Sequence, residues 1–178
     1  MSFDVAFLVL RLVAGGLLFG HGTQKLFGWF GGHGLAGTSA FFGSRLRLRP
    51  ARLWTALAGL SEAGGGLLLA TGFLSPLGSL GIIAAMLMAI ILVHWPRLWA
   101  TEGGLEYPLV LLTVATAVAI AGPGAYSLDA VLGIALPAPS TFLVGLGLVL
   151  IGALVALATR TPAAVQPAAP AESRARAT

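Results

Sequence analysis

The chain has 178 residues, with ten Lys/Arg against six Asp/Glu, 57% hydrophobic residues and only 9% charged ones, and a mean hydropathy of +0.95. A soluble domain carries about a quarter charged residues, so this composition excludes an ordinary soluble protein and marks an all-α, polytopic transmembrane helix bundle whose first partner is the lipid bilayer. The absence of cysteine excludes disulfides, thiolate nucleophiles and Cys-ligated metal centres, and the few basic residues lie mostly in loops and the tail, where they read as topological signals and not as a nucleic-acid surface.

A helix needs about 20 apolar residues to cross the hydrocarbon core. The first stretch of that kind is 5–28. It lacks a basic leader and an A-x-A cleavage signal and holds Arg11 within its apolar run, which predicts a retained spanning helix and not a signal peptide. The following loop, "GLAGTSAFFGSRLRLRP", places Leu35, Phe41 and Phe42 beside alternating arginines. That pattern suits a short helix in the membrane interface, and a plain loop is the alternative.

Further spans are expected over 51–72, 76–95, 105–122 and 140–159, with Ser75-Pro76 and Pro139-Ser140 as helix starts and glycines at 103–104 and 122–124 as breaks. Residues 126–136 reach only about 16 Å as a helix, which predicts an interfacial or re-entrant segment. The expected organisation is a membrane domain over 1–137, an additional C-terminal transmembrane helix over 138–159, and a disordered cytoplasmic tail over 160–178, rich in Ala and Pro.

Five spans put loop 29–50, loop 96–104 and the tail on one side. Arg45, Arg47, Arg49, Arg52, Arg97, Arg160, Arg174 and Arg176 all fall there, and the opposite loops have no Lys or Arg. The positive-inside rule makes that side cytoplasmic and the N-terminus external, and Trp29, Trp54, Trp95 and Trp99 collect at the same ends, as an interfacial aromatic belt would.

Against this apolar background, ionisable residues in or at the ends of spans are the candidate functional groups, because a charge in hydrocarbon costs roughly 3 kcal/mol or more and is normally paired inside the bundle. Helical phase puts Arg11, His21 and Lys25 on one arc of the first span, which should face protein. Estimated depths place Arg11 level with Glu62 of the second span, so an Arg11–Glu62 ion pair fixing helix register is expected. His21, Lys25, His94 and Glu106 form a candidate polar cluster near the cytoplasmic face. Each also has a plainer role: Lys25 snorkelling to the interface, His21 bonding between helices, Glu106 at a helix start. Asp129 opens the short segment after Ser127, which should cap it. A haem between His21 and His94 is disfavoured because His94 is estimated to be roughly 9 Å shallower. No metal-binding or nucleotide-binding motif is visible, and His33 reads as a loop histidine.

"RLVAGGLLFGHGTQKLFGWFGG" (11–32), "SEAGGGLLLATG" (61–72), His94, "GGLEYPL" (103–109) and "GPGAYSLD" (122–129) resemble the DoxX family of small bacterial membrane proteins over roughly residues 8–130. The resemblance implies a four-helix membrane core in the bacterial inner membrane, to which the fifth span is an addition. It picks out Arg11, His21, Gly22, Lys25, Glu62, His94, Glu106 and Asp129. It also implies a place in redox or stress-defence assemblies, with quinone as the ligand to consider and a soluble oxidoreductase as partner. "WPRLW" (95–99) and the fifth span depart from the family pattern.

Three functions follow as expectations. One is a membrane subunit of a quinone-linked redox or stress-defence complex, in which another protein carries the electron chemistry. Another is a non-enzymatic scaffold for a soluble partner. The third, a small-solute or proton transporter, is disfavoured by the lack of an inverted repeat. Gly16/Gly20 and Gly152/Ala156 permit tight helix contacts within one chain or between chains, so oligomeric state stays open.

Overall fold

A computed structural model describes residues 2–162. Its helices are α1 (Ser2–Phe27), α2 (Gly34–Ser44), α3 (Ala51–Thr71), α4 (Ser75–Ala89, continued by a π-helical turn over Ile90–His94), α5 (Glu106–Ala121), α6 (Leu128–Leu132) and α7 (Ala138–Ala158). Short 3-10 turns at Trp29–Gly31 and Ala100–Glu102 punctuate the loops. Four segments, Phe3–Phe27, Ala51–Thr71, Ser75–His94 and Ser140–Ala158, are long and apolar enough to cross a membrane. The protein is a multi-pass helical membrane bundle.

The 16-residue α5 is shorter than those four, yet it runs between the same two ends of the bundle. At its start, Leu105 and Glu106 donate their backbone N–H groups to Arg97 O and Leu98 O. Beyond its other end, the Ala125 N–H donates to the Asp4 carboxylate near the start of α1 at 2.9 Å.

α1 and α3 pack antiparallel and very closely, because glycines line the seam. A Cβ on Gly15 would stand 2.5 Å from Gly66 O, one on Gly66 would stand 2.5 Å from Phe19 N, and one on Gly22 would collide with the backbone of Ala63. Small residues let membrane helices approach to backbone contact, where dispersion and not hydrophobicity holds them. The apolar core collects Leu18 of α1, Leu69 of α3, Ile82 and Met86 of α4, and Leu111, Ala115 and Val118 of α5. α7 packs against it with Phe142, Leu146 and Val149. This is the expected four-helix core, α1, α3, α4 and α5, with an added fifth helix.

The loop after α2 and the end of α7 are joined. Arg160 Nε donates to Leu46 O at 3.0 Å, the Thr161 N–H donates to Arg47 O at 3.0 Å, and Leu48 and Arg160 form an antiparallel bridge. The arginine-rich loop and the start of the tail therefore lie on one side, as their charges imply. Arg160 and Thr161, assigned by sequence to a disordered tail, are pinned there instead. The rest of that tail lies outside the described residues. Trp29, Trp95 and Trp99 are exposed near this end, where an aromatic belt belongs.

The 11-residue α2 settles the choice between helix and plain loop. The segment expected over 126–136 is helical only over Leu128–Leu132, where Ser127 Oγ caps it by accepting from the Ala130 N–H at 3.1 Å.

Candidate functional site

The ionisable residues separate into two layers at opposite ends of the bundle, with different pairings from those expected. Glu62 does not meet Arg11. It forms an ion pair and hydrogen bond with Lys25. The correction follows from helix offset. Gly59 of α3 faces Leu26 near the end of α1, so the turns of α3 before Gly59 project beyond α1. Depth counted from the start of α3 was therefore measured from the wrong plane. Fourteen positions separate Arg11 from Lys25, about 21 Å along the helix, and the bundle puts Glu62 at the Lys25 end.

At the other end, fully buried Arg11 donates from Nη2 to the carbonyl of Tyr126. Its Nε and Nη1 find no hydrogen-bond acceptor among the described residues. Asp129, also buried, accepts the Leu74 N–H on Oδ1 at 2.8 Å and the Ser75 N–H on Oδ2 at 3.0 Å. A carboxylate thus satisfies two orphan donors at the N-terminus of α4 and complements its dipole. Gly72 completes this lock. Its φ of 64° suits glycine, its carbonyl accepts the Asp129 N–H at 2.9 Å, and a Cβ there would run into Arg11 Nη1 and Ser127. This layer ties three chain segments together and is structural.

The Lys25 end is different. A cavity of about 620 Å³ lies among α2, α3, α4 and α7, and Lys25, Glu62 and His94 are part of its wall. Most of the remaining wall is apolar, for example Phe41, Trp54, Leu80, Met88 and Val149. Lining residues on α4 run from Leu80 to His94, so the cavity reaches about 20 Å from mid-bundle toward the basic side. A large, mostly apolar pocket with a few convergent polar groups is the ordinary form of a small-molecule site.

The π-helical turn helps place His94. The Trp95 N–H donates to Ile90 O at 2.9 Å, an i to i−5 bond that ends the helix, and π turns re-aim side chains relative to a regular helix. His94 Nδ1 lies 2.8 Å from Gly103 O. A carbonyl only accepts, so Nδ1 carries the proton, and in the neutral ring Nε2 is left with a free lone pair.

Of the expected cluster, Lys25 and His94 share the cavity, and Glu62 joins them. His21 and Glu106 do not line it. Glu106 is exposed and accepts the Ala100 N–H on Oε2 at 2.9 Å, closing the loop before α5, which is its plainer role. His21 shares an arc with Arg11 and Lys25, but its roughly 80° offset from Arg11 takes it out of the α1–α3 seam. It is exposed, beside Gly16, Gly20 and Gln24 in a second, outer groove of about 310 Å³. His21 and His94 thus open onto different cavities. Among the described residues no three His, Asp or Glu side chains converge as a metal site would require.

Sequence reasoning passed over Tyr107. Its ring meets His21 edge-on, with centroids 5.8 Å apart. The available signal was its position directly after Glu106 at a helix start.

The sequence model of the DoxX family matches residues 6–95. The chain belongs to the DoxX family. The match takes in α1 to α4, hence Arg11, Gly22, Lys25, Glu62 and His94, and stops before Glu106, Tyr107 and Asp129. Comparison with curated proteins and with solved structures gave no match. The DoxX assignment covers three of the groups at the cavity, Lys25, Glu62 and His94, and Gly22 earns its place in the motif by close packing on Ala63.

Proposed function

We infer that this DoxX-family protein is a membrane subunit of a redox or stress-defence complex, and that its inner cavity receives a quinone. The observation that carries this reading is the Lys25–Glu62 pair in the wall of a mostly apolar cavity of about 620 Å³ that also extends to His94 near the basic end. Such a cavity fits an amphipath with a long apolar tail and a small polar head. Apolar walls take the tail without orphaning polar groups, and the Lys25–Glu62 pair takes a carbonyl or hydroxyl oxygen.

The residues divide the work by chemistry. Lys25 has three N–H donors, so it can keep Glu62 and still donate to a headgroup oxygen. Glu62 is the base that would accept a proton at the headgroup as a quinol is oxidised, and the Nε2 of His94 is a second base at the far end of the cavity. The electrons pass to a soluble oxidoreductase partner, since the chain holds no cysteine for thiol or iron–sulfur chemistry. Positive charge on the His94 side supports a reading in which that side, with the partner and the C-terminus, faces the bacterial cytoplasm.

The test is extraction of the purified protein and mass spectrometry for quinone, comparing wild type with Ala85→Trp, which fills the cavity wall. Quinone in the wild type and loss in the filled variant support the reading. A quinone-free wild type, purified from quinone-containing membranes, sinks it.

A further inference from the structure

The chain from α2 into α3 carries Arg45, Arg47, Arg49 and Arg52, and no Asp or Glu occurs between Asp4 and Glu62 to balance them. The positive-inside rule asks only for charge in such a loop, not for a fixed arrangement of it. Here the arrangement is fixed. Residues 45–49 alternate arginine and leucine. Leu46 and Leu48 are buried in the wall of the cavity, whereas Arg45 and Arg49 are exposed and Arg47 is half-buried. The Leu46 and Leu48 N–H groups donate to Phe41 O and Phe42 O. The Leu48–Arg160 bridge, with the Arg160 bond to Leu46 O, clamps the other edge of the ribbon and adds a further exposed arginine.

Among the described residues, the side chains of Arg45, Arg47, Arg49 and Arg52 make no hydrogen bond or ion pair. Arg97, at the same end, differs, since its Nη1 donates to Glu102 O at 3.1 Å. The Arg49 guanidinium lies over α2 at Gly43, where a Cβ would stand 3.4 Å from Nη1. Cations held on one anchored ribbon without a counter-charge repel one another, and an anion that joins them relieves the repulsion.

The surroundings select the kind of anion. Phe41 and Leu53 are exposed large apolar side chains of the same segment, and the Trp54 indole donates to Arg49 O at 3.4 Å where α3 begins its apolar span. Arginines interleaved with exposed apolar groups at the end of a spanning helix match an amphiphile with an acidic head. An acidic soluble protein offers the charge without the chains.

We propose that Arg45, Arg47, Arg49, Arg52 and Arg160 form a docking surface for the headgroup phosphate of an anionic phospholipid, with its acyl chains along the neighbouring apolar surface. A guanidinium meets phosphate through two parallel N–H···O bonds, which an ammonium does not reproduce. Leu46 and Leu48 face the cavity from the same ribbon, so the lipid stands outside the cavity wall and its binding is independent of what the cavity holds.

The test titrates the full chain in detergent with phosphatidylglycerol and, separately, with phosphatidylcholine of the same acyl chains, counting bound lipid by native mass spectrometry. Phosphatidylglycerol should bind more tightly by about tenfold or more. Arg47→Gln/Arg49→Gln should weaken its first binding step about 25-fold, at roughly fivefold for each arginine near a charged lipid surface. Phosphatidylcholine binding and the melting temperature without lipid should not change. Arg47→Lys/Arg49→Lys keeps the charge and should restore most of the affinity, and Arg97→Gln, outside the surface, should match wild type. Arg45→Gln/Arg52→Gln, whose residues lie outside the clamp, is read in the same way as the first pair. Wild-type affinity in both glutamine pairs overturns the proposal. Equal affinity for the two lipids also overturns it and leaves the arginines to an acidic protein. Displacement of bound lipid by inorganic phosphate at equal concentration overturns it in favour of a free-anion site.

Discussion

Glu62 and Arg11 are both buried charges, but their surroundings ask different things of them. The Lys25 partner of Glu62 is about a quarter exposed, at 27% of its side chain, so solvent screens part of the pair and its net contribution is smaller than for a fully buried pair. Glu62→Gln should therefore lower stability by about 1–3 kcal/mol, read from unfolding in detergent. The double variant Lys25→Met/Glu62→Leu should recover most of that loss, since removing both charges leaves none stranded. If Arg11 were the partner, Lys25→Met would be silent. Arg11 and Asp129 instead belong to a lock of backbone carbonyls and N–H groups, and nothing in a single residue's hydropathy announces such a role. The identities of the ionisable residues were legible because burial cost marks them out. Their pairing was not, because it depends on how far neighbouring helices are offset along one another.

Helix α1 shows how two faces of one element carry different meanings. Gly15 and Gly22 meet α3 backbone, whereas Gly16 and Gly20 face open space. Gly22→Ala should cost about 1–3 kcal/mol by pushing α3 away, while Gly16→Ala should stay within about 1 kcal/mol of wild type. Thermal melting of the two variants in the same detergent checks this, and equal melting temperatures would contradict the seam. Gly15 and Gly22 lie two turns apart and Gly16 and Gly20 about one, and both pairs read alike along the chain, as small residues on a common helix face. Helical phase sorts them only once the packed face is known. The same holds for His21, whose phase near Arg11 suggested the interior although the seam lies on the other side of it.

Across the whole molecule, the clip between Arg160 and Leu46 sets the end of α7 beside the arginine-rich loop, while Ala125 sits at the opposite end with Asp4. Because the chain has no cysteine, single substitutions report sidedness without background. Arg45→Cys and Thr161→Cys should react with a membrane-impermeant maleimide from the same side, that of inverted vesicles, and Ala125→Cys from the other. Opposite labelling of positions 45 and 161 would break the topology.

Composition and the lengths of apolar runs determined by themselves that this is a multi-pass helical protein, where its helices begin, and which few charges are costly enough to matter, because hydrocarbon penalises charge and backbone exposure wherever they fall in the chain. Only the tertiary structure decided that Glu62 meets Lys25, that Asp129 caps α4, that Lys25, Glu62 and His94 share one cavity, and that Tyr107 packs its ring on His21. Those outcomes depend on the relative sliding of packed helices. Close contact between glycines sets that sliding, and a pattern read along one helix at a time does not contain it.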